Sequence, residues 1–372
     1  MSEKQAAANT PLESFFDLVY VLAFTRVTDF VSNRLDPVGV VQGVAVLMEL
    51  WWAWVCYSWL TDIVAAHSIT KARIMIFAGA AAIAVAALAL PDAFGQGGIV
   101  FASAYAIARL LHVELFLMAS TEQPRTHRVI ERLVPGLLGG PALLVIASLV
   151  GGPVRAVLWG AAIVIDYLTP LIRNPASLEI HPKHFAELCG LLIILALGES
   201  IASIGVSDQR ITMGVVAAAI LAIVFCAALW WSYFDYVKGS AQKRLEEARG
   251  SDRSLLTLNA YSYIHLAMVG GIVFIALGVR QTIADAEHPL SAIPAGAICG
   301  GAAVYLLGLF AFRLRVTGTV LVGRLVAAAL ACAATPIALM VPSIVTVAIV
   351  SSVLAGLVAY ETLRSDRFRL EV

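Results

Sequence analysis

The sequence predicts an all-α, polytopic transmembrane helix bundle of about twelve spans, built as two six-helix pseudo-repeats in parallel orientation. Three observations lead to this fold class. Of the 372 residues, 60% are hydrophobic and only 13% are charged, whereas soluble domains carry about 25% charged residues. The apolar residues form runs long enough to cross a bilayer. Lysine and arginine concentrate in alternate breaks between these runs.

The apolar runs define the predicted spans in chain order. They lie at residues 13–31, 39–60, 72–90, 99–119, 129–150, 154–172, 185–206, 212–237, 255–278, 292–312, 318–340 and 342–362. Prolines interrupt the fifth and eleventh of them, but membrane helices tolerate proline.

The asymmetry of lysine and arginine orients the chain with both termini in the cytoplasm. In that orientation eighteen of the 25 basic residues lie on the cytoplasmic side, four lie outside and three lie within spans. We therefore expect a multi-pass membrane protein with both termini on the cytoplasmic side. Residues 1–10 are polar and lack a cleavage motif, so no removed signal peptide is expected.

Composition disfavours several classes of function. The formal net charge is zero, so no basic field indicates a nucleic-acid partner. The five cysteines lie in apolar runs without a C-x-x-C pair, which predicts neither disulfides nor a thiolate metal site. No phosphate-binding loop or dinucleotide fingerprint is present, and no cofactor is predicted. The longest cytoplasmic loop, residues 238–254, fits either an amphipathic surface helix or a solvated linker.

The two halves of the chain, residues 1–180 and 181–372, resemble each other. The run Leu-Trp-Trp-Ala-Trp at 50–54 is echoed by Leu-Trp-Trp-Ser-Tyr at 229–233. An even number of spans per half gives both halves the same orientation, which predicts a pseudo-two-fold axis along the membrane normal. Chance similarity between apolar helices is the competing interpretation.

One face of the first span carries a line of polar side chains. Glu13, Asp17 and Tyr20 fall on one helical stripe by the i, i+3/i+4 rule. An acid–acid–tyrosine line leading inward from the cytoplasm predicts an ion or proton pathway. In the alternative interpretation, Glu13 and Asp17 lie at the interface and favour the positive end of the helix dipole.

The seventh span also carries ionisable residues. His184 and Glu187 are one turn apart, the spacing of a metal-binding H-x-x-E pair. Because helical di-metal sites need a second such pair, we expect a proton-coupled pair rather than a metal site. Glu199, followed by Ser200, lies at hydrocarbon depth, where a carboxylate needs a partner or water.

Arg26 is the candidate partner of Glu199. If Glu13 is aligned with Glu187, Arg26 falls opposite Ser200 and at the depth of Glu199. The two side chains would then form an ion pair or contact one polar substrate. Alternatively, Arg26 extends to the outer interface.

The second and fourth spans add Glu49, Arg109 and His112. Arg109 and His112 share a helix face, and Arg109 lies deep enough in its span to need an acidic partner. With this many ionisable residues in or near hydrocarbon, a polar central cavity is expected rather than separate structural pairs.

Two long motifs resemble the bacterial low temperature requirement A (LtrA) family. That family opens with a motif like E-L-F-F-D-L-V-F-V-x-A-x-T, matched at residues 13–25, and carries a second motif like H-x-x-E-R-x-G-L-x-x-I-I-x-L-G-E-S, matched at 184–200. The resemblance covers nearly the whole chain. It implies a polytopic inner-membrane protein linked to growth in the cold. Leu188 stands where the family usually has arginine. If that arginine neutralises the glutamate or holds a ligand, Lys183 and Arg173 are the candidates for this role here.

The favoured function is a secondary transporter or channel-like protein for an ion or small polar solute, with a polar site between the halves. One alternative is an intramembrane enzyme acting on lipid or isoprenoid substrates, with His184 and Glu187 as acid–base residues. No paired-aspartate, histidine-cluster or nucleophile motif supports it, so no catalytic residue is assigned. A non-enzymatic sensor or assembly factor in cold adaptation is a third possibility. The expected partners are membrane lipids and a small-molecule or ion substrate, without nucleic acid.

Overall fold

The computed structural model describes residues 10–63, 70–173, 178, 180–202 and 212–370, with side chains described through Arg364, and these residues contain no β-strand. The helical segments are α1 (Pro11–Ser32), α2 (Pro37–Ile63), α3 (Thr70–Ala89), α4 (Gly98–Ser120), α5 (Pro124–Ser148), α6 (Gly152–Arg173), α7 (Pro182–Ala202), α8 (Met213–Glu247), α9 (Gly250–Ala284), α10 (Ala292–Thr317), α11 (Val322–Ala338) and α12 (Ser343–Leu370).

Ten helices of the described chain, α2–α10 and α12, are long and apolar enough to cross a membrane. The prediction of an all-α, multi-pass membrane protein is therefore confirmed. The helix α1 has the length of a span but carries four charged residues, and α11 is apolar but short. The count of twelve spans stays a prediction. Residues 203–206 of the predicted seventh span lie outside the described residues.

Local sequence signals explain where several helices begin and end. At the start of α1, the Glu13 amide donates to the Thr10 hydroxyl at 3.3 Å, while the Thr10 amide donates to the Glu13 carboxylate at 2.8 Å. This capping box satisfies amides that have no intrahelical partner. Proline occupies the first position of α1, α2, α5 and α7. Gly318, at φ +70°, ends α10 in the left-handed conformation that favours glycine.

Two π-helical stretches lengthen α8 and α9. The helix α8 continues beyond Tyr233 through a π-helical turn, Phe234–Lys238, to Glu247. The helix α9 contains a second such stretch, Thr257–Ile264. The segment 238–254, which the sequence left open between a surface helix and a linker, is therefore helical over most of its length.

The described chain divides into two compact units, and each is described by itself. The first takes the described residues of Met1–Arg34, Val38–Cys189 and Leu245–Leu258. The second takes those of Leu35–Pro37, Gly190–Arg244 and Asn259–Val372. The division into halves at residue 180 stays a prediction.

Candidate functional site

In the first unit, a cluster of acids and histidines lies where the start of α1, the end of α2 and the start of α7 meet. His184 Nε2 lies 3.2 Å from Glu13 Oε2, and His184 Nδ1 lies 2.9 Å from Asp62 Oδ1. Glu13, Asp62 and His184 are all less than 9% exposed. With Asp17 and His181 they form what we call the acid–histidine cluster.

Asp17 lies one turn deeper than Glu13 on α1. Its Oδ1 atom accepts a hydrogen bond of 2.8 Å from the indole nitrogen of Trp54 on α2. Its Oδ2 atom is buried without a hydrogen-bond partner among the described residues. A carboxylate in this position is costly unless it holds a proton or a cation. The predicted stripe on α1 is thus a buried face, with Tyr20 fully buried one turn further along.

His181 attaches the chain before α7 to the end of α2. Its amide donates to Asp62 Oδ2 at 2.7 Å, and its Nδ1 atom lies 2.8 Å from the Asp62 backbone oxygen. Hydrogen bonding to Asp62 raises the pKa of His181 above its ordinary value, against a smaller opposing effect of partial burial. Asp62 therefore binds two histidines at once.

A second group of polar side chains lies buried between α2, α4 and α6. Arg109 Nη2 lies 3.1 Å from Asp166 Oδ1 and donates to the Leu137 backbone oxygen at 3.0 Å. Arg109 Nη1 lies 3.1 Å from the Cys56 sulfur. Both side chains of the ion pair have no solvent exposure. Arg109 thus has the acidic partner that its depth in the span required.

Glu49 lies beside this ion pair without sharing in it. It is fully buried, and neither carboxyl oxygen has a hydrogen-bond partner of good geometry in the described part of the chain. The carboxyl is nevertheless close enough to Asp166 and Arg109 to interact with them electrostatically. Tyr105 joins the group, because its hydroxyl lies 3.0 Å from the Glu49 backbone oxygen and 3.4 Å from Asp166 Oδ2. Glu49, Tyr105, Arg109 and Asp166 form the arginine cluster.

His112 lies one turn beyond Arg109 and lines a mainly apolar cavity with Trp52, Trp59 and Phe116. Neither of its ring nitrogens has a hydrogen-bond partner of good geometry among the described residues. The buried histidine of the second unit differs in this respect. Both ring nitrogens of His265 lie 3.0 Å from an oxygen atom.

Two buried tyrosines lie near the clusters. Tyr20 is close enough to Asp17 and to Arg109 to interact electrostatically with each. Tyr57 donates to the Ala108 backbone oxygen at 2.8 Å, and its ring centroid lies 5.4 Å from that of His112. A series of buried polar groups therefore runs along α1, α2 and α4 of the first unit.

Comparison of the sequence with known protein families assigns the chain to one of them. Residues 8–359 match the family of bacterial low temperature requirement A proteins (LtrA). The chain belongs to this family. The uncharacterized protein RA0937 of Rhizobium meliloti (strain 1021) is 29% identical over 298 residues, which cover 77% of this chain and 71% of the relative. No solved structure matches the chain.

The LtrA motifs supply part of the acid–histidine cluster. The first motif contributes Glu13 and Asp17, and the second contributes His184. Leu188 follows His184 by one turn of α7 and lines a small cavity together with Glu13 and Asp17. The arginine that the LtrA motif usually carries at this position would therefore lie among carboxylates. In this chain the imidazole ring of His184 contacts Glu13 instead.

The remaining predicted residues lie outside the two clusters. Arg26 forms an ion pair of 3.4 Å with Asp29, one turn along α1. Glu187 is half-buried, whereas Glu199 and Ser200 are buried near the end of α7 in the second unit. The pairing of Arg26 with Glu199 stays a prediction.

Sequence reasoning did not assign roles to Asp62, His181 and Asp166. A signal for Asp62 was present, because the predicted orientation puts the start of span one, the end of span two and the start of span seven on the cytoplasmic side. Asp62 therefore had to lie at the same membrane face as Glu13 and His184. His181 lies at the same face by the same reasoning, but nothing in the sequence indicated that it would contact Asp62.

Proposed function

We propose that this LtrA protein is a secondary transporter or channel-like protein for an ion or small polar solute, and that the arginine cluster binds a proton. One observation carries the proposal. Two buried carboxyl groups, Glu49 and Asp166, lie beside a single guanidinium, that of Arg109.

Charge balance explains why this arrangement suits proton binding. Arg109 compensates one negative charge, and its direct contact at 3.1 Å goes to Asp166. A second carboxylate without a partner is expensive in a buried site, so Glu49 holds a proton when Asp166 is charged. The two carboxyls are close enough to interact, so one proton can move between them. Such a site changes its charge when a cation or a substrate arrives.

The acid–histidine cluster gives the proposed site a route to the membrane face. Asp17 adds a third carboxyl oxygen without a hydrogen-bond partner of good geometry among the described residues, and Tyr20 is close enough to interact with both Asp17 and Arg109. In the proposed orientation this cluster lies at the cytoplasmic ends of α1, α2 and α7. Protons would enter at His184 and pass inward along α1.

The proposal includes twelve spans in two parallel repeats, with both termini cytoplasmic in the bacterial inner membrane. A similar pair of hydrogen bonds, offset by one residue in the alignment of the two tryptophan runs, supports the repeat. Tyr105 donates to the backbone oxygen of Glu49, just before the tryptophan pair of α2. Tyr305 donates at 2.7 Å to that of Leu229, just before the tryptophan pair of α8. A polar site between the halves remains part of this proposal.

Flux measurements in proteoliposomes test the proposal. We expect the wild-type protein to acidify or alkalinise the lumen when a membrane potential is imposed, with candidate ions and polar metabolites supplied in turn. Glu49→Gln keeps the size of the side chain but replaces the carboxyl group, which can bind and release a proton, with an amide. The substitution should therefore abolish flux. Glu114→Gln is the matched control, because Glu114 is 61% exposed and pairs only at 3.7 Å with Lys71.

Two outcomes would contradict the proposal. If Glu49→Gln gave the same flux as the wild type, the arginine cluster would not be part of the transport pathway. If the wild type gave no flux with any candidate solute, the transport proposal would be wrong. Glu199→Gln forms a further arm that tests whether the second unit takes part.

One observation favours an enzyme as the second candidate. The cavity beside His112 is lined mainly by apolar side chains, among them Trp52, Leu133 and Leu137, and such a lining suits a lipid or isoprenoid chain. His112, with no partner of good geometry, would then serve as the acid–base group. Altered membrane lipids in a deletion strain, compared between cold and warm growth, would support this candidate over transport.

A further inference from the structure

The second unit contains a basic cavity that is separate from the proposed transport pathway. It lies at the end of α10, the start of α11 and the end of α12, and has a volume of about 500 Å³. Its lining includes Arg313, Thr319, Tyr360, Glu361 and Arg364. A cavity with this lining is large enough for a polar group and carries more positive than negative charge.

The one acidic side chain of the lining is already neutralised. Arg324 binds Glu361 through two contacts, Nε to Oε1 at 2.8 Å and Nη2 to Oε2 at 3.0 Å. This paired geometry is the strongest that a guanidinium and a carboxylate form. Glu361 is therefore not available to balance the other arginines of the cavity.

Two guanidinium groups remain without an acidic partner among the described side chains. Within the described part of the chain, the hydrogen bonds of Arg313 go to neutral acceptors, the Tyr236 backbone oxygen at 2.6 Å and the Thr319 hydroxyl at 3.0 Å. These bonds hold its side chain in place at the cavity. Arg364 lines the same cavity from α12. Two cations that line one cavity form an anion-binding arrangement, and arginine suits phosphate in particular.

The surroundings of the cavity indicate what carries the anion. Val320, Val322, Tyr360 and Leu363 lie in or next to the lining and are 53–68% exposed. A soluble anion gains nothing from such a rim, whereas lipid acyl chains pack against it. Basic cavities between membrane helices on the cytoplasmic side are typical sites for acidic headgroups.

We propose that this cavity binds the phosphate of an anionic phospholipid, with Arg313 and Arg364 on the phosphate oxygens. The Arg324–Glu361 pair forms the wall of the site, and the exposed rim receives the upper part of the acyl chains. The site lies entirely within the second unit and does not depend on transport.

Native mass spectrometry of the purified full chain tests the proposal. The protein is offered an equimolar mixture of phosphatidylglycerol, cardiolipin and phosphatidylcholine in neutral detergent. We expect the anionic lipids to be retained over phosphatidylcholine, and Arg364→Gln to lower that retention about fivefold, the effect of one basic contact. Arg315→Gln is the matched control, because Arg315 is exposed near the same helix end and does not line the cavity.

Competition with soluble anions identifies the source of the bound anion, and additional variants exclude misfolding. Inorganic phosphate and glycerol 3-phosphate should displace the lipid poorly; if either displaces it fully, the ligand is a soluble anion and the lipid assignment is wrong. Arg364→Lys keeps the charge and should retain lipid, which a folding defect would not allow. Arg313→Gln should repeat the loss. Equal retention by wild type and both glutamine variants, or no preference over phosphatidylcholine, would overturn the proposal.

Discussion

The Nδ1 atom of His184 lies 2.9 Å from Oδ1 of Asp62, which joins α7 to the end of α2 across 122 residues of sequence. The other ring nitrogen faces Glu13 at 3.2 Å. An imidazolium donates from both nitrogens and satisfies both carboxylates. The acid–histidine cluster therefore depends on one cation held between two acids.

Removal of that cation should destabilise the first unit strongly. His184→Ala leaves Glu13 and Asp62 buried without their shared partner, and loss of one member of a buried ion pair costs about 3 kcal/mol or more. We expect a corresponding decrease in the free energy of unfolding, measured by SDS-driven unfolding in micelles. His127→Ala is the control, since His127 is 30% exposed and contacts the exposed Glu131; a similar decrease in both variants would contradict the prediction.

Leu188→Arg should compensate for that loss. Position 188 lies one turn beyond His184 and lines the same small cavity as Glu13 and Asp17, and the LtrA motif usually carries arginine there. The double variant His184→Ala/Leu188→Arg should therefore unfold at a higher SDS fraction than His184→Ala alone. Leu188→Met in the same background adds no charge and should give no recovery. Equal recovery by arginine and methionine would show that packing, not charge, is restored.

The protein should become less stable as the pH rises, because His181 loses its proton. Hydrogen bonding to Asp62 raises the pKa of His181 above 6.5 in the folded protein. The stabilisation is complete below pH 6.5, where His181 is protonated in both states, and is lost as the pH rises through the raised value. The difference in thermal midpoint between wild type and His181→Asn should thus be largest in acid and shrink towards alkaline pH. A difference that grows with pH would contradict this sign.

The predicted spans already place three residues of the arginine cluster at a similar depth in the membrane. Glu49 and Arg109 each lie ten residues after the predicted start of their span, at 39 and 99, and Asp166 lies twelve residues after 154. All three spans begin on the same side in the predicted orientation, so the three side chains had to lie at similar depth. The sequence could not show that Arg109 contacts Asp166 rather than Glu49, because that depends on how α2, α4 and α6 rotate about their axes.

The acid–histidine cluster shows a different limit of sequence reasoning. The stripe on α1 was predictable, because helical periodicity alone puts Glu13, Asp17 and Tyr20 on one face. The role of Trp54 was not, since a tryptophan in a membrane helix usually packs against neighbours. Only the tertiary structure reveals that its indole nitrogen satisfies Asp17 at 2.8 Å.

Asp166 and Glu49 should replace each other as the partner of Arg109. In Asp166→Asn the guanidinium loses its carboxylate, and the neighbouring Glu49 can release its proton and supply the charge. The double variant Asp166→Asn/Glu49→Gln has no carboxyl group left in the cluster to pair with Arg109. Its loss of unfolding free energy should exceed the sum of the single losses by about 1 kcal/mol or more, as expected for coupled neighbours. Additive losses in this cycle would mean that Glu49 does not respond to the charge of Asp166.

Gly140 should be needed for the position of Asp166. A Cβ atom at Gly140 on α5 would lie 2.8 Å from the Asp166 carboxyl group, closer than real Cβ contacts allow. Gly140→Ala must therefore push Asp166 against Arg109 or away from it, and overpacking of this kind costs about 1–3 kcal/mol. We expect a lower unfolding free energy together with altered flux in proteoliposomes.

Gly160→Ala on α6 provides the comparison for Gly140→Ala. A Cβ atom there meets nothing within 4 Å, and alanine in a helix restricts the unfolded chain more than glycine does. Gly160→Ala should therefore leave the unfolding free energy unchanged or raise it by about 0.4–1 kcal/mol. If Gly140→Ala were as harmless as Gly160→Ala in both unfolding and flux, Asp166 would not be held where the structure has it. The proton-binding role of the arginine cluster would then lose its geometric basis.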